Sequence, residues 1–161
     1  MSTRIYLPDS VEGHLFLATW LSNKIPDFEP CNVQCVAVMN GQRIGCVMGY
    51  SNPHYNRVEL CVASEPGVWW FTRDNCLQML GLPFTNMQRQ GVTAMVFRGN
   101  TKVRRWLQWA GFRLEGNIRK ITHNGTRNML MYGLLRSEYI DLVEKVKGPE
   151  IRQQFEQMYG S

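Results

Sequence analysis

The chain has 161 residues, 44% of them hydrophobic and 19% charged, a size and balance that indicate one domain with a core and exclude a disordered or fibrous chain. The longest apolar runs are strand-sized, which excludes a membrane-spanning helix. Lys and Arg exceed Asp and Glu by 18 − 13 = 5, a balance that suits nucleic acid, an acidic protein or a phosphorylated ligand and decides among none of them.

At the N-terminus, Pro8 and Asp9 arrive before any apolar run, so no secretory signal is expected and a cytoplasmic protein is. Cys31, Cys35, Cys46, Cys61 and Cys76 are odd in number and hold no Cys-x-x-Cys pair, which argues against a disulfide framework and a zinc site. His14, His54 and His123 lack metal-ligand spacing, and no metal is assigned. With no linker, repeat or low-complexity tract, residues 1–161 read as a single domain.

Ser10, followed by Val11, Leu15, Ala18 and Leu21, predicts a capped amphipathic helix that runs to about Lys24 and stops before Pro26. Two alternating runs flank Asn40-Gly41 and predict a hairpin over residues 33–50, both turn residues accepting positive φ; Ser51-Asn52-Pro53 breaks the chain. Val58, Leu60 and Val62 mark a further strand over residues 58–63. Thr72 then caps a helix to about Leu80, whose free N–H groups and dipole make a candidate anion site.

Residues 92–97 form another strand, and Asn100 opens a helix through Ala110 with Gly111 as its C-cap. Asn124-Gly125 joins residues 112–121 and 129–135 in a second hairpin. Two helices, residues 137–147 and 149–159, follow around Gly148 as a C-terminal helical extension at about 137–161. Strands interleaved with helices and two hairpins together require a mixed sheet in an α/β (α+β) chain.

The run Leu82-Pro83-Phe84, Gly91-Val92-Thr93-Ala94, Asn100, Gly111-Phe112 and Glu115-Gly116, supported by Arg119 and Gly133-Leu134-Leu135, resembles the GNAT superfamily of acetyl-CoA-dependent N-acetyltransferases. Within it, the pattern is similar to the ribosomal-protein N-terminal acetyltransferases and their phage-encoded relatives. The resemblance implies a central, mostly antiparallel mixed sheet whose fourth and fifth strands, here residues 58–63 and 92–97, splay to admit the pantetheine arm. It also implies that the pyrophosphate sits at the helix after the fourth strand, where the Thr72 anion site was read independently.

Two departures accompany the resemblance. The family's pyrophosphate loop carries spaced glycines, and here Trp69-Trp70-Phe71-Thr72-Arg73-Asp74 puts Phe71 and Arg73 at glycine positions. Many relatives have a tyrosine seven residues after the helix-starting Asn to protonate the leaving sulfur, and this chain has Leu107 there. Glu59 is the candidate catalytic base, against the reading of an ordinary strand glutamate. The candidate cofactor-binding residues are Val62, through its backbone N–H, with Trp70, Phe71, Thr72, Arg73, Asp74, Asn100 and Val103.

Each has a plainer reading beside it. Asn100 either bonds the cofactor arm or caps its helix, and Val103 either faces the thioester or is a core valine. A cation such as Arg73 at a helix N-terminus is disfavoured without an anion. Trp106 and Trp109 share a helix face, which favours packing over base stacking. Much of the positive excess, Lys102, Arg104, Arg105, Arg113, Arg119, Lys120 and Arg127, reads as a solvated face.

The expected function is therefore transfer of acetyl from acetyl-CoA to a primary amine, in the first place of a protein, at its N-terminus or a lysine, with a small amine as the other acceptor. The alternative is a non-catalytic GNAT-fold phage protein that binds a host or virion protein. Neither a membrane nor nucleic acid is the expected partner.

Overall fold

The inner strands are runs of apolar residues buried on both faces of a sheet, and three helices start where a short oxygen-bearing side chain caps them. The computed structural model describes residues 2–26, 28–122 and 124–159; His123, considered above as a ligand, lies outside the described residues. In chain order the elements are β1 (Thr3–Tyr6), α1 (Val11–Ser22), β2 (Gln34–Asn40), β3 (Arg43–His54), β4 (Arg57–Ser64) and α2 (Arg73–Thr85). They continue with β5 (Gly91–Phe97), α3 (Thr101–Trp109), β6 (Arg113–Ile118), β7 (Met129–Leu135), α4 (Arg136–Lys147) and α5 (Glu150–Tyr159). The strands form one sheet in the order β1-β2-β3-β4-β5-β7-β6. Every neighbouring pair is antiparallel except β4 and β5.

The caps are where the sequence put them. Ser10 Oγ accepts from Gly13 N–H at 3.1 Å, Thr72 Oγ1 from Asn75 N–H at 3.0 Å, and Asn100 Oδ1 from Val103 N–H at 3.3 Å. Ala110 is the C-cap of α3, and Gly111 follows it with φ of 92°.

Each face of the sheet buries a different set. Leu17, Ala18 and Leu21 of α1 pack on Cys35, Ala37 and Val47 on one face. A larger core on the other face gathers Val36, Met48, Leu60, Val92, Leu107, Leu134 and Tyr139 with helices α2 to α5. Gly49 permits the close approach of α1, because a Cβ there would stand 2.7 Å from Leu21 Cδ1. Among the described residues no helix is long and apolar enough to cross a membrane.

Several expectations are corrected. β1 was not expected; it is a four-residue edge strand, Thr3–Tyr6, that depends on pairing with residues 37–40 of β2. In the first hairpin Asn40 is still paired, with Arg43, and of the Asn40-Gly41 pair only Gly41 takes positive φ, 62°. The break at Ser51-Asn52-Pro53 is a bulge within a continuous β3, which tolerates Pro53. Asn124-Gly125 lies inside a longer connection, since β6 and β7 close at Ile118 and Met129.

Helix α2 runs past Leu80 and through Pro83 to Thr85. A proline has no N–H for the carbonyl four residues earlier, here that of Met79. The buried Tyr50 hydroxyl donates to that carbonyl at 2.9 Å. The helix continues because β3 supplies the missing donor.

Candidate active site

The parallel pair that the fold requires is short. β4 and β5 are in register at Arg57 with Gly91, Val58 with Val92, Glu59 with Thr93 and Leu60 with Ala94. Beyond Leu60 and Ala94 the two strands separate. Residues 61–64 keep their partners on β3, and residues 95–97 keep theirs on β7. The result is a slot of about 270 Å³ lined by Leu60, Val62, Ala94, Val96, Asn100, Val103 and Leu107, with Glu59, Cys61, Thr93, Met95 and Phe97. Successive strand residues point to opposite faces, so this lining belongs to both faces and the slot passes through the sheet.

The backbone of β4 also contributes. Glu65 N–H donates to the Gly45 carbonyl at 2.8 Å. Antiparallel pairs alternate between bonded and non-bonded, and Val62 lies opposite Met48, three steps from that bond. Its N–H and C=O therefore face the other edge of β4, the side from which β5 has departed.

On the face that carries α3, the slot meets a groove of about 480 Å³ formed by Ser64, Val68, Trp69, Trp70 and Phe71 on one side and Lys102, Val103 and Trp106 on the other. Val62 and Val103 line both spaces. The glycine-poor wall is held by side chains. Asn40 Nδ2 donates to the Trp69 carbonyl at 3.0 Å, and the buried Asn75 Nδ2 donates to the Trp70 carbonyl at 2.9 Å and to Thr3 Oγ1 at 2.8 Å. Trp70, Phe71 and Trp109 stack edge to face, with centroids 5.4 and 5.8 Å apart.

On the opposite face the slot meets a third cavity, about 530 Å³, lined by Pro26, Phe28, Glu29, Cys31, Asn32, Ser51, Asn52 and Pro53. Ile25, Glu59 and Cys61 line both it and the slot. Glu59 thus stands at the junction, half-buried, and its Oε2 accepts from Asn52 Nδ2 at 2.9 Å. The Cys61 thiol is pushed up to about 11, first by burial and then by the charge of Glu59. It stays protonated near neutral pH and is not poised as a nucleophile.

Among the residues singled out from the sequence, the structure brings Glu59, Val62, Asn100 and Val103 to the slot and Trp70 and Phe71 to the groove. Thr72 caps α2. Arg73 is exposed at the first position of α2 and lines neither space, whereas Lys102 lines the groove. The Asp74 carboxylate is held by Lys147 and Gln78, which lower its pKa; the Lys147 hydrogen bond contributes most. Leu107 is buried and lines the slot.

Sequence reasoning missed the third cavity with Glu29 and Asn52, because the loop after α1 meets the β3 bulge only in space. It also missed Asn75; the only signal was a polar residue on an otherwise buried stretch of α2. Part of the basic face has partners within the protein, while Arg113 and Arg127 stay exposed to solvent as expected. Arg104 donates to the Tyr132 hydroxyl and the Arg98 carbonyl, Arg113 pairs with Glu138, and Arg127 lies over the Phe97 ring at 3.8 Å.

At the level of sequence, no family model matches the chain and no curated protein matches it significantly. Solved structures do resemble it. A spermidine/spermine N-acetyltransferase from Vibrio cholerae, in mutant forms, superposes with a TM-score of 0.67 at 17% identity, over 85% of this chain and 96% of that one. A ribosomal-protein-S5-alanine acetyltransferase from Vibrio fischeri gives 0.64 at 13% identity, over 86% and 96%. The fold is that of the GNAT acetyltransferases. The seven-stranded mixed sheet and its parted parallel pair are the expected architecture, and the likeness extends to the fold alone.

Proposed function

We propose that the protein is an N-acetyltransferase that moves an acetyl group from acetyl-CoA to a primary amine, of a protein N-terminus, a lysine or a small molecule. The observation that carries this reading is the slot between β4 and β5, which joins a groove on one face to an acidic cavity on the other, with Glu59 at the junction. The residues fit such a ligand. Apolar side chains of Val62, Val96 and Val103 suit the arm, and Lys102 suits phosphate charge, as do the first N–H groups of α2 at Thr72, Arg73 and Asp74. Trp70 and Phe71 form the groove wall, and Asn100 lines the slot.

Acetyl-CoA, when bound, supplies an acetyl group activated as its thioester. Glu59 takes a proton from the substrate ammonium at Oε1, directly or through one water. This frees the nitrogen lone pair to form the C–N bond as the C–S bond breaks; coenzyme A leaves as its thiolate, and the second proton lost from the nitrogen passes to that sulfur or to water. The Val62 N–H stabilises negative charge on the carbonyl oxygen. Leu107 provides no proton to the departing sulfur. A protonated Cys61 favours direct transfer over an acyl-cysteine route.

Among the described residues, Glu29 and Glu59 are the charged ones lining the third cavity, in a chain whose net charge is +5. Such a passage draws an ammonium group inward and repels an acceptor with a carboxylate beside its amine. Acceptors of both sizes occur among the acetyltransferases that share the fold, so the test panel includes both.

A second reading, a non-catalytic phage protein that binds a host or virion protein, is favoured by Phe71, Arg73 and Leu107 standing where the resemblance leads one to expect two glycines and a tyrosine. Calorimetric titration with acetyl-CoA separates the two. The enzyme reading expects binding, together with turnover of at least one of three amines: a peptide with a free N-terminus, a peptide whose only amine is a lysine, and spermidine. Glu59→Gln then lowers kcat by roughly a hundredfold. No binding at millimolar acetyl-CoA overturns the enzyme reading and leaves the binding module.

A further inference from the structure

The bulge in β3 performs a task that an unbroken strand could not. Ser51 is opposite Glu59, and His54 is opposite Arg57, so β3 carries one more residue than β4 between these pairs. In a regular ladder residue 52 would lie opposite Val58, and its side chain would point to the face away from Glu59. Asn52 instead takes φ of 50°, in the left-handed region that Asn tolerates better than most residues. Its amide thereby returns to the Glu59 face and donates to Oε2 at 2.9 Å. Both residues line the acidic cavity, and among the described residues Oε1 has no hydrogen-bond partner.

We propose that Asn52 is a positioning residue for acyl transfer, built into the bulge to hold the Glu59 carboxylate by one oxygen and leave the other for the substrate ammonium. The proposal rests on Glu59 being the base. A free glutamate samples several rotamers, and one fixed donor on Oε2 restricts the side chain to those that keep Oε1 at the mouth of the slot.

Asn52→Gly removes the amide while retaining a residue at ease with positive φ, and Asn52→Asp retains the shape while placing a like charge against Glu59. The measurements are kcat and KM for the best acceptor of the panel, acetyl-CoA affinity by calorimetry, and the thermal midpoint, each also in the Glu59→Gln background. Asn52→Gly is expected to lower kcat about tenfold, a typical value for a hydrogen bond to a charged group, with acetyl-CoA affinity and thermal midpoint unchanged. Asn52→Asp is expected to lower kcat further. In the Glu59→Gln background Asn52→Gly is expected to cost less than twofold, because the group it positions has gone.

A slow Glu59→Gln enzyme with a normal Asn52→Gly enzyme overturns this inference and leaves the proposed function standing. Equal losses from Asn52→Gly in both backgrounds overturn it as well, since Asn52 then acts independently of Glu59. A Glu59→Gln enzyme as fast as the parent removes the base, and this inference with it.

Discussion

The Tyr50 hydroxyl donates to the Met79 carbonyl, the acceptor that Pro83 leaves without a helical donor. Tyr50 is 1% exposed, so Tyr50→Phe strands a buried carbonyl and is expected to cost about 1–3 kcal/mol. Pro83→Ala restores an N–H four residues along. In that background the cost of Tyr50→Phe is expected to fall below about 1 kcal/mol. Urea denaturation of the four proteins checks the cycle, and additive losses refute it.

Because the slot passes through the sheet, its two mouths can be closed separately. Thr93 lies opposite Glu59 and shares its face, whereas Val103 is on α3 where slot and groove meet. Thr93→Phe is expected to cut kcat/KM for the amine about tenfold and leave acetyl-CoA affinity within a factor of two. Val103→Trp is expected to weaken acetyl-CoA binding about tenfold, the equivalent of about 1.4 kcal/mol. Calorimetry and steady-state kinetics distinguish them, and the same defect in both variants refutes a two-mouthed passage.

Asp74 and Lys147 join the start of α2 to the end of α4. The Asp74 pKa is lowered in the folded state, chiefly by the Lys147 hydrogen bond, so the unfolded state binds its proton first as pH falls. The stabilisation is thus present above the unfolded value, about 3.9, and is lost as pH falls through the lower folded value. Both side chains are more than a third exposed, which limits the contribution to about 1 kcal/mol or less. Asp74→Asn is expected to lower the thermal midpoint slightly at pH 7, with the difference vanishing near pH 2. A difference that grows with acid contradicts the pairing.

Local chemistry made much of the fold legible. Ser10, Thr72 and Asn100 announce their helices because capping involves a side chain and an amide three residues away. The strand pair that holds Glu59 and Thr93 was legible from alternation and from the family resemblance together. What stayed hidden depends on contacts distant in sequence. β1 is a strand because β2 offers it an edge, α2 outlasts Pro83 because Tyr50 reaches in, and Asn52 meets Glu59 because a bulge turns it round. Arg73 shows the limit of position along a chain, since it opens the expected helix and yet lines neither slot nor groove.

In the proposed reaction the group that polarises the acetyl carbonyl is the main-chain N–H of Val62, exposed because β5 turns away after Ala94. Every residue type except proline carries that same donor. Evolution can therefore rewrite the side chains around it without erasing it, and an alanine scan passes over it in silence. Such a donor is set by the path of the strand, and the identity of the side chain at that point does not decide it.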